Sequence, residues 1–217
     1  MSEATRLALI ISAVVIFILG MGSYIALNII GKKMRQKMLK KSQEEAMIQI
    51  QALRNDIGEL PFQMKDYLKS KANDIDVEGI INTVFRNDYK NVMIVSHNDL
   101  FPNVAVAQKT KAQNYVYAKE TKLEKLEDLK RQFPEEFPKN IQLHVDEPLD
   151  LLVIMNAQGD INDIYDDLSK KVHNGMILVS YDNPRGEIKR LISYLKLMNL
   201  THEISYISSK YLFIVKK

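Results

Sequence analysis

The chain has 217 residues, and its 30 Lys and Arg against 27 Asp and Glu leave a net charge of +3. So small an excess, with bases and acids interleaved through the second half, gives no electrostatic footprint for nucleic acid. The sequence contains no cysteine, which excludes disulfides, thiolate metal sites, cysteine nucleophiles and lipid attachment through Cys. The absence of Trp beside abundant Lys, Ile and Asn points to a bacterial source.

From Leu7 to Gly31 no residue carries a charge, and Leu, Ile, Val, Ala and Phe dominate. About 20 helical residues span the ~30 Å hydrocarbon core. The apolar residues occur all round the helix, so no polar face is left for a helix of a soluble core. The run ends in Lys32, Lys33, Arg35, Lys37, Lys40 and Lys41, not in a small-residue cleavage site. Residues 1–31 are therefore expected to form a single transmembrane anchor in the cell membrane. Only Arg6, offset by Glu3, stands on the other side, which places the N-terminus outside and the remaining chain in the cytoplasm. The lipid bilayer is thus the first expected partner. Gly22 and Ala26 form a small-xxx-small pair through which two such helices could make a homodimer.

Residues 32–84 read as a basic juxtamembrane segment and a helical stalk. Between residues 34 and 60, Ala46, Ile50, Leu53, Ile57 and Leu60 recur four and three apart, a helical seam that suits self-association or packing on the chain's own domain. Pro61 ends that helix. Shorter helices are expected over Phe62–Ser70 and Val77–Phe85.

Residues 85–217 alternate between strand and helix. Val92–Ser96 is a continuous apolar run, as in a strand covered on both faces. A helix over Pro102–Lys111, a strand over Tyr115–Ala118 and a helix over Lys122–Phe133 follow. Next come strands at Ile141–Val145 and Leu149–Met155, a helix over Ile161–Val172 and a strand from Gly175. Glu187–Met198 carries Ile188, Leu191, Ile192 and Leu195 at helical spacing. Strands at Glu203–Ser208 and Tyr211–Val215, parted by Ser209 and Lys210, predict an antiparallel hairpin whose turn type is not readable without Gly or Asn.

Alternating strands and helices predict an α/β fold with a parallel sheet, here ending in an antiparallel hairpin. This order resembles the Rossmann-like class I S-adenosylmethionine-dependent methyltransferase fold. The resemblance is best from Asp150 onward, over LDLLVIMN, DINDIYDDLSKKV and NGMILVSYDN. It is similar also to the membrane-anchored methyltransferase-like proteins of mycoplasmas. The resemblance implies S-adenosylmethionine as cofactor, bound at the carboxyl ends of the strands beside the first βα turn. In the family that turn is an acid followed by Gly-x-Gly-x-Gly. Here Ile94 replaces the acid, and Ser96, Asn98 and Leu100 stand at the glycine positions.

The resemblance further implies Glu120 as the acid for the ribose hydroxyls and Asp146 as the acid near the adenine. The acid closing strand four falls on Met155, with Asn156 beside it. The cofactor-binding set expected on this basis is Ser96, Asn98, Glu120, Asp146 and Asn156. Asp182 and Asn183 are similar to the metal pair of the O-methyltransferase branch but fall one or two residues late, and no metal is expected. His97 is a loop histidine with a possible role as a base. Two functions stay open: a membrane-anchored methyltransferase with an altered cofactor loop, or a non-catalytic module with protein partners in a membrane complex.

Overall fold

The computed structural model describes residues 56–216, together with seven isolated helical positions at 17, 21, 22, 29, 30, 33 and 34. Most of the anchor, the basic segment and the Ala46–Leu53 seam lie outside the described residues. Among those described, no helix is long and apolar enough to cross a membrane.

From Asp56 the chain runs through α1 (Phe62–Leu68), α2 (Asp74–Asn87), β1 (Asn91–Ser96), α3 (Phe101–Lys109), β2 (Gln113–Val116), α4 (Leu123–Gln132) and β3 (Ile141–Leu143). It continues through β4 (Leu149–Met155), α5 (Ile161–Leu168), a 3₁₀ turn at Ser169–Lys171, β5 (Val172–Ser180), α6 (Arg185–Leu197), β6 (His202–Tyr206) and β7 (Lys210–Val215). The strands form one sheet in the order β3-β2-β1-β4-β5-β7-β6. β1 to β5 are parallel, and β7 runs antiparallel between β5 and β6.

The apolar runs of the central strands exist because each strand is covered twice. Met93, Val95, Leu152 and Ile154 face one core with Ile161, Ile164, Leu191 and Leu195 of α5 and α6. Val92, Ile94, Leu151 and Val153 face the other, with Ile80, Ile81 and Val84 of α2 and Phe101 of α3. Burying a Leu or Ile stabilises by roughly 1.5–3 kcal/mol, so this two-sided burial is the main force holding the sheet.

Three local expectations are corrected. Residues 56–60, expected as the end of the stalk helix, are not helical and form a turn with Gly58 at φ +85°. There Gly58 N donates to Glu78 Oε1 at 2.8 Å, and Leu60 is buried in the α2–α3 core. α1 and α2 pack on the sheet, so the compact unit begins at Asp56, ahead of residue 85. Finally, the hairpin loop has three residues, Ile207–Ser209, and it is held from outside. Asp76 Oδ1 accepts from Ser208 N and Ser209 N, each at 2.8 Å. None of the three loop residues has a positive φ, so the turn requires no glycine, and α2 holds its amides in place.

β5 also starts earlier than Gly175, at Val172, because the β4–β5 register shifts between Leu149 and Leu151. The irregularity brings the two backbones together. A Cβ on Gly175 would lie 2.1 Å from the Asp150 carbonyl oxygen.

Candidate functional site

The loops at the carboxyl ends of β1, β2 and β4 meet around one carboxylate. β1 ends at Ser96, which is buried, and the chain then turns through Asn98 at φ +52°. Among non-glycine residues, Asn best tolerates this left-handed region, so the turn keeps a glycine-type backbone with a side chain added. Two backbone bonds tie the loop to its neighbours. Asn98 N donates to Glu120 O at 2.9 Å, and His97 N donates to Asn156 O at 3.3 Å. Asn156 is itself left-handed, at φ +44°. The β1–β2 pairing stops at Met93 and Tyr115. Where the strands part, the buried Asn103 Nδ2 donates to Ile94 O at 3.0 Å.

Glu120 is only 6% exposed. Its Oε1 accepts from Gly159 N at 2.7 Å, and its Oε2 accepts from Gln158 N at 3.1 Å. Oε2 also faces His97 Nδ1 at 2.9 Å. On the far side of the ring, Asn98 Nδ2 lies 2.6 Å from His97 Nε2. Both ring nitrogens of His97 are thus engaged, Nδ1 by the Glu120 carboxylate and Nε2 by the side-chain amide of Asn98. Gly159 makes the arrangement possible, since a Cβ there would stand 2.9 Å from Glu120 Oε1.

The start of α3 is taken in the same way. Phe101 N donates to Asp99 Oδ1 at 3.1 Å, and Ser70 Oγ donates to Asp99 Oδ2 at 2.7 Å. Leu100 and Phe101 are fully buried in the core. Beside Glu120 opens a cleft of about 440 Å³, lined by Tyr117, Lys119, Gln158, Asp160, Asp163 and Asp167 among others. Lys119 and the Tyr117 hydroxyl both donate to Asp167, at 2.5 and 2.9 Å, and hold its carboxyl below the usual range.

The structure brings together Ser96, Asn98, Glu120 and Asn156. It does not bring Asp146 to them: Asp146 is exposed and paired with Lys171, whose hydrogen bond and charge hold its carboxyl below the usual carboxylate range. Asp182 and Asn183 are turned to local structure. Asp182 accepts from Ser180 Oγ at 3.0 Å, whereas the buried Asn183 accepts from Ala157 N at 2.9 Å. No group of three or more metal-ligating side chains occurs among the described residues. The partners of Glu120 had no signal beyond the Gln-Gly-Asp loop preceding α5, because backbone amides leave no mark in a sequence.

As they stand, these residues do not fit S-adenosylmethionine. The carboxylate that would hold the ribose is already bonded to two amides and His97. The first amide of α3 is taken by Asp99, and the Asn98 side chain stands where a glycine would leave space.

No protein-family model and no curated protein sequence matches the chain. Solved structures do. A Staphylococcus aureus protein described as a caffeoyl-CoA O-methyltransferase matches with TM-score 0.55 at 12% identity, over 82% of this chain and 99% of its own. An O-methyltransferase from Bacillus cereus, in complex with SAH, matches with TM-score 0.50 at 12% identity, over 80% and 90%. TomG, an O-methyltransferase from Streptomyces achromogenes in complex with SAM, matches with TM-score 0.50 at 9% identity, over 67% and 82%. The described unit therefore has the fold of the class I S-adenosylmethionine-dependent O-methyltransferases.

Proposed function

We propose that the chain is a membrane-anchored protein that keeps the methyltransferase fold with its cofactor seat closed by its own side chains. On this reading it serves as a non-catalytic module on the cytoplasmic face of the cell membrane, holding protein partners in a membrane complex. The observation that carries the closed seat is the Glu120 carboxylate, which spans from the loop after β2 to Gln158 N and Gly159 N after β4. A ligand would have to displace two charge-assisted hydrogen bonds, each contributing roughly 1.5–3 kcal/mol. The anchor rests on the uncharged stretch Leu7–Gly31 and the bases after it.

A second reading, an active S-adenosylmethionine-dependent methyltransferase, is favoured by the left-handed turn at Asn98 and the cleft beside Glu120. Both leave a place for the cofactor once Glu120 swings away. Calorimetric titration of S-adenosylmethionine into the full chain in detergent separates the two. The closed seat predicts no heat up to millimolar cofactor for the parent chain. Micromolar binding, about −8 kcal/mol, weakened tenfold or more by Glu120→Ala, would establish the second reading.

The topology has its own test, made clean by the absence of cysteine. In intact cells a membrane-impermeant maleimide is expected to label Ser2→Cys and to leave Ser193→Cys unlabelled until the cells are opened. Equal labelling of both positions in intact cells would contradict the orientation.

A further inference from the structure

Among the described residues β6 is the outer strand of the sheet and pairs on one side only, with β7. Its hydrogen-bond phase follows from two bonds at its ends. Val215 N donates to Thr201 O at 3.0 Å, and Ile207 N donates to Ser209 O at 3.1 Å. In an antiparallel ladder, residues that exchange bonds alternate with residues that do not. Thr201, Glu203 and Ser205 therefore turn their amides and carbonyls toward β7, and His202, Ile204 and Tyr206 turn theirs outward. The side chains of these last three share one face of the strand. Ile204 is 47% exposed and Tyr206 49%, an apolar edge of a kind that proteins rarely leave open.

The strand is complementary to itself. If a second β6 is laid antiparallel beside it with Ile204 on the two-fold axis, Ile204 meets Ile204 and His202 meets Tyr206. These are the outward-facing positions, so every outward amide and carbonyl of the strand finds a partner. Glu203, the strand's only acid, then lies opposite Ser205, and no like charges are opposed. Other centres fail. An axis at Tyr206 would set Ile204 against Ser208, whose amide is already given to Asp76. An axis at His202 would run Ile204 past the end of the strand onto Leu200. The other margin of the sheet, β3, has three residues and offers no comparable surface.

We propose that β6 is the contact through which two copies of this chain join edge to edge, giving one continuous sheet with Ile204 on the axis. Such a pair is isologous, each strand presenting the same groups to the other. It stands independently of whether the fold binds a cofactor.

The cysteine-free sequence allows a mapping with single thiols. Opposed residues of a hydrogen-bonded antiparallel pair have Cα atoms about 5.5 Å apart, within disulfide reach. On mild oxidation of the full chain in detergent, Ile204→Cys is expected to convert mainly to a covalent dimer. Glu203→Cys and the exposed Ser193→Cys on α6 should each give at least severalfold less. Glu203→Cys mixed with Ser205→Cys should link the two variants to each other.

A second arm uses charge. Ile204→Lys and Ile204→Glu each place like charges across the axis and should lose Ile204-dependent association by light scattering, while their equimolar mixture regains it. A chain whose Ile204→Cys form cross-links no faster than Ser193→Cys overturns the proposal. So does an Ile204→Cys form that links in cells only to a protein of another mass. A mixture of the Lys and Glu variants that associates no better than either alone overturns it as well.

Discussion

Gly175→Ala is expected to destabilise the compact unit by about 3 kcal/mol, the upper part of the usual overpacking range. For a unit of this size that lowers the melting temperature by roughly 6–12 °C. The reason is that the new methyl would meet main chain, where nothing can rotate aside. It would stand 2.1 Å from the Asp150 oxygen, 2.8 Å from its carbonyl carbon and 3.1 Å from its Cα. Relief requires β4 and β5 to separate at the foot of the sheet. There Asp150 Oδ2 also accepts from Lys90 N and Asn91 N at 2.7 and 2.9 Å, fixing the entry to β1. Thermal unfolding followed by near-ultraviolet circular dichroism measures the loss. A shift of less than a degree or two would mean that the close approach of these strands is not a feature of the folded protein.

Asp76→Ala is expected to cost about 2–4 kcal/mol, and Asp76→Asn distinctly less, because Asn retains one acceptor oxygen. Bonds to a charged group contribute about 1.5–3 kcal/mol each, and Asp76 makes two, to adjacent amides of the β6–β7 loop. The carboxylate is 1% exposed, so water does not take its place. Ser208 itself lies at the surface, where water can satisfy its amide, and this holds the loss below the full sum. Urea unfolding of the two variants gives both values. Equal losses for Ala and Asn would show that the acceptor geometry at Asp76 does not matter.

The strands of the centre were legible because burial on two faces writes a continuous apolar run into the sequence. Leu149–Met155 appears in the structure with the bounds read for it. α6 was legible through its one apolar stripe, Ile188, Leu191 and Leu195, all buried. α1 and α2 were read as helices but assigned to the stalk, since periodicity shows that a face is covered without showing what covers it. The start of β5 was hidden by the polar His173 and Asn174, which look like a turn and lie on the irregular part of the ladder. At the site, Glu120 stood out as an acid at the end of β2. Its engagement with Gln158, Gly159 and His97 depends on how three loops converge, and Asp146 was drawn off by Lys171, a neighbour only in space.

The position of β7 also governs when the sheet can exist. Of the seven strands among the described residues it is the last in sequence, yet it lies inside the sheet, between β5 and β6. As the chain leaves the ribosome, β5 keeps an unpaired edge until Lys210–Val215 has emerged, and α2 waits equally long for the loop that Asp76 holds, 132 residues downstream. Contacts of such separation form late and slowly. Folding of this unit is thus completed from its last strand, and until that strand docks β5 presents an open apolar edge to other chains.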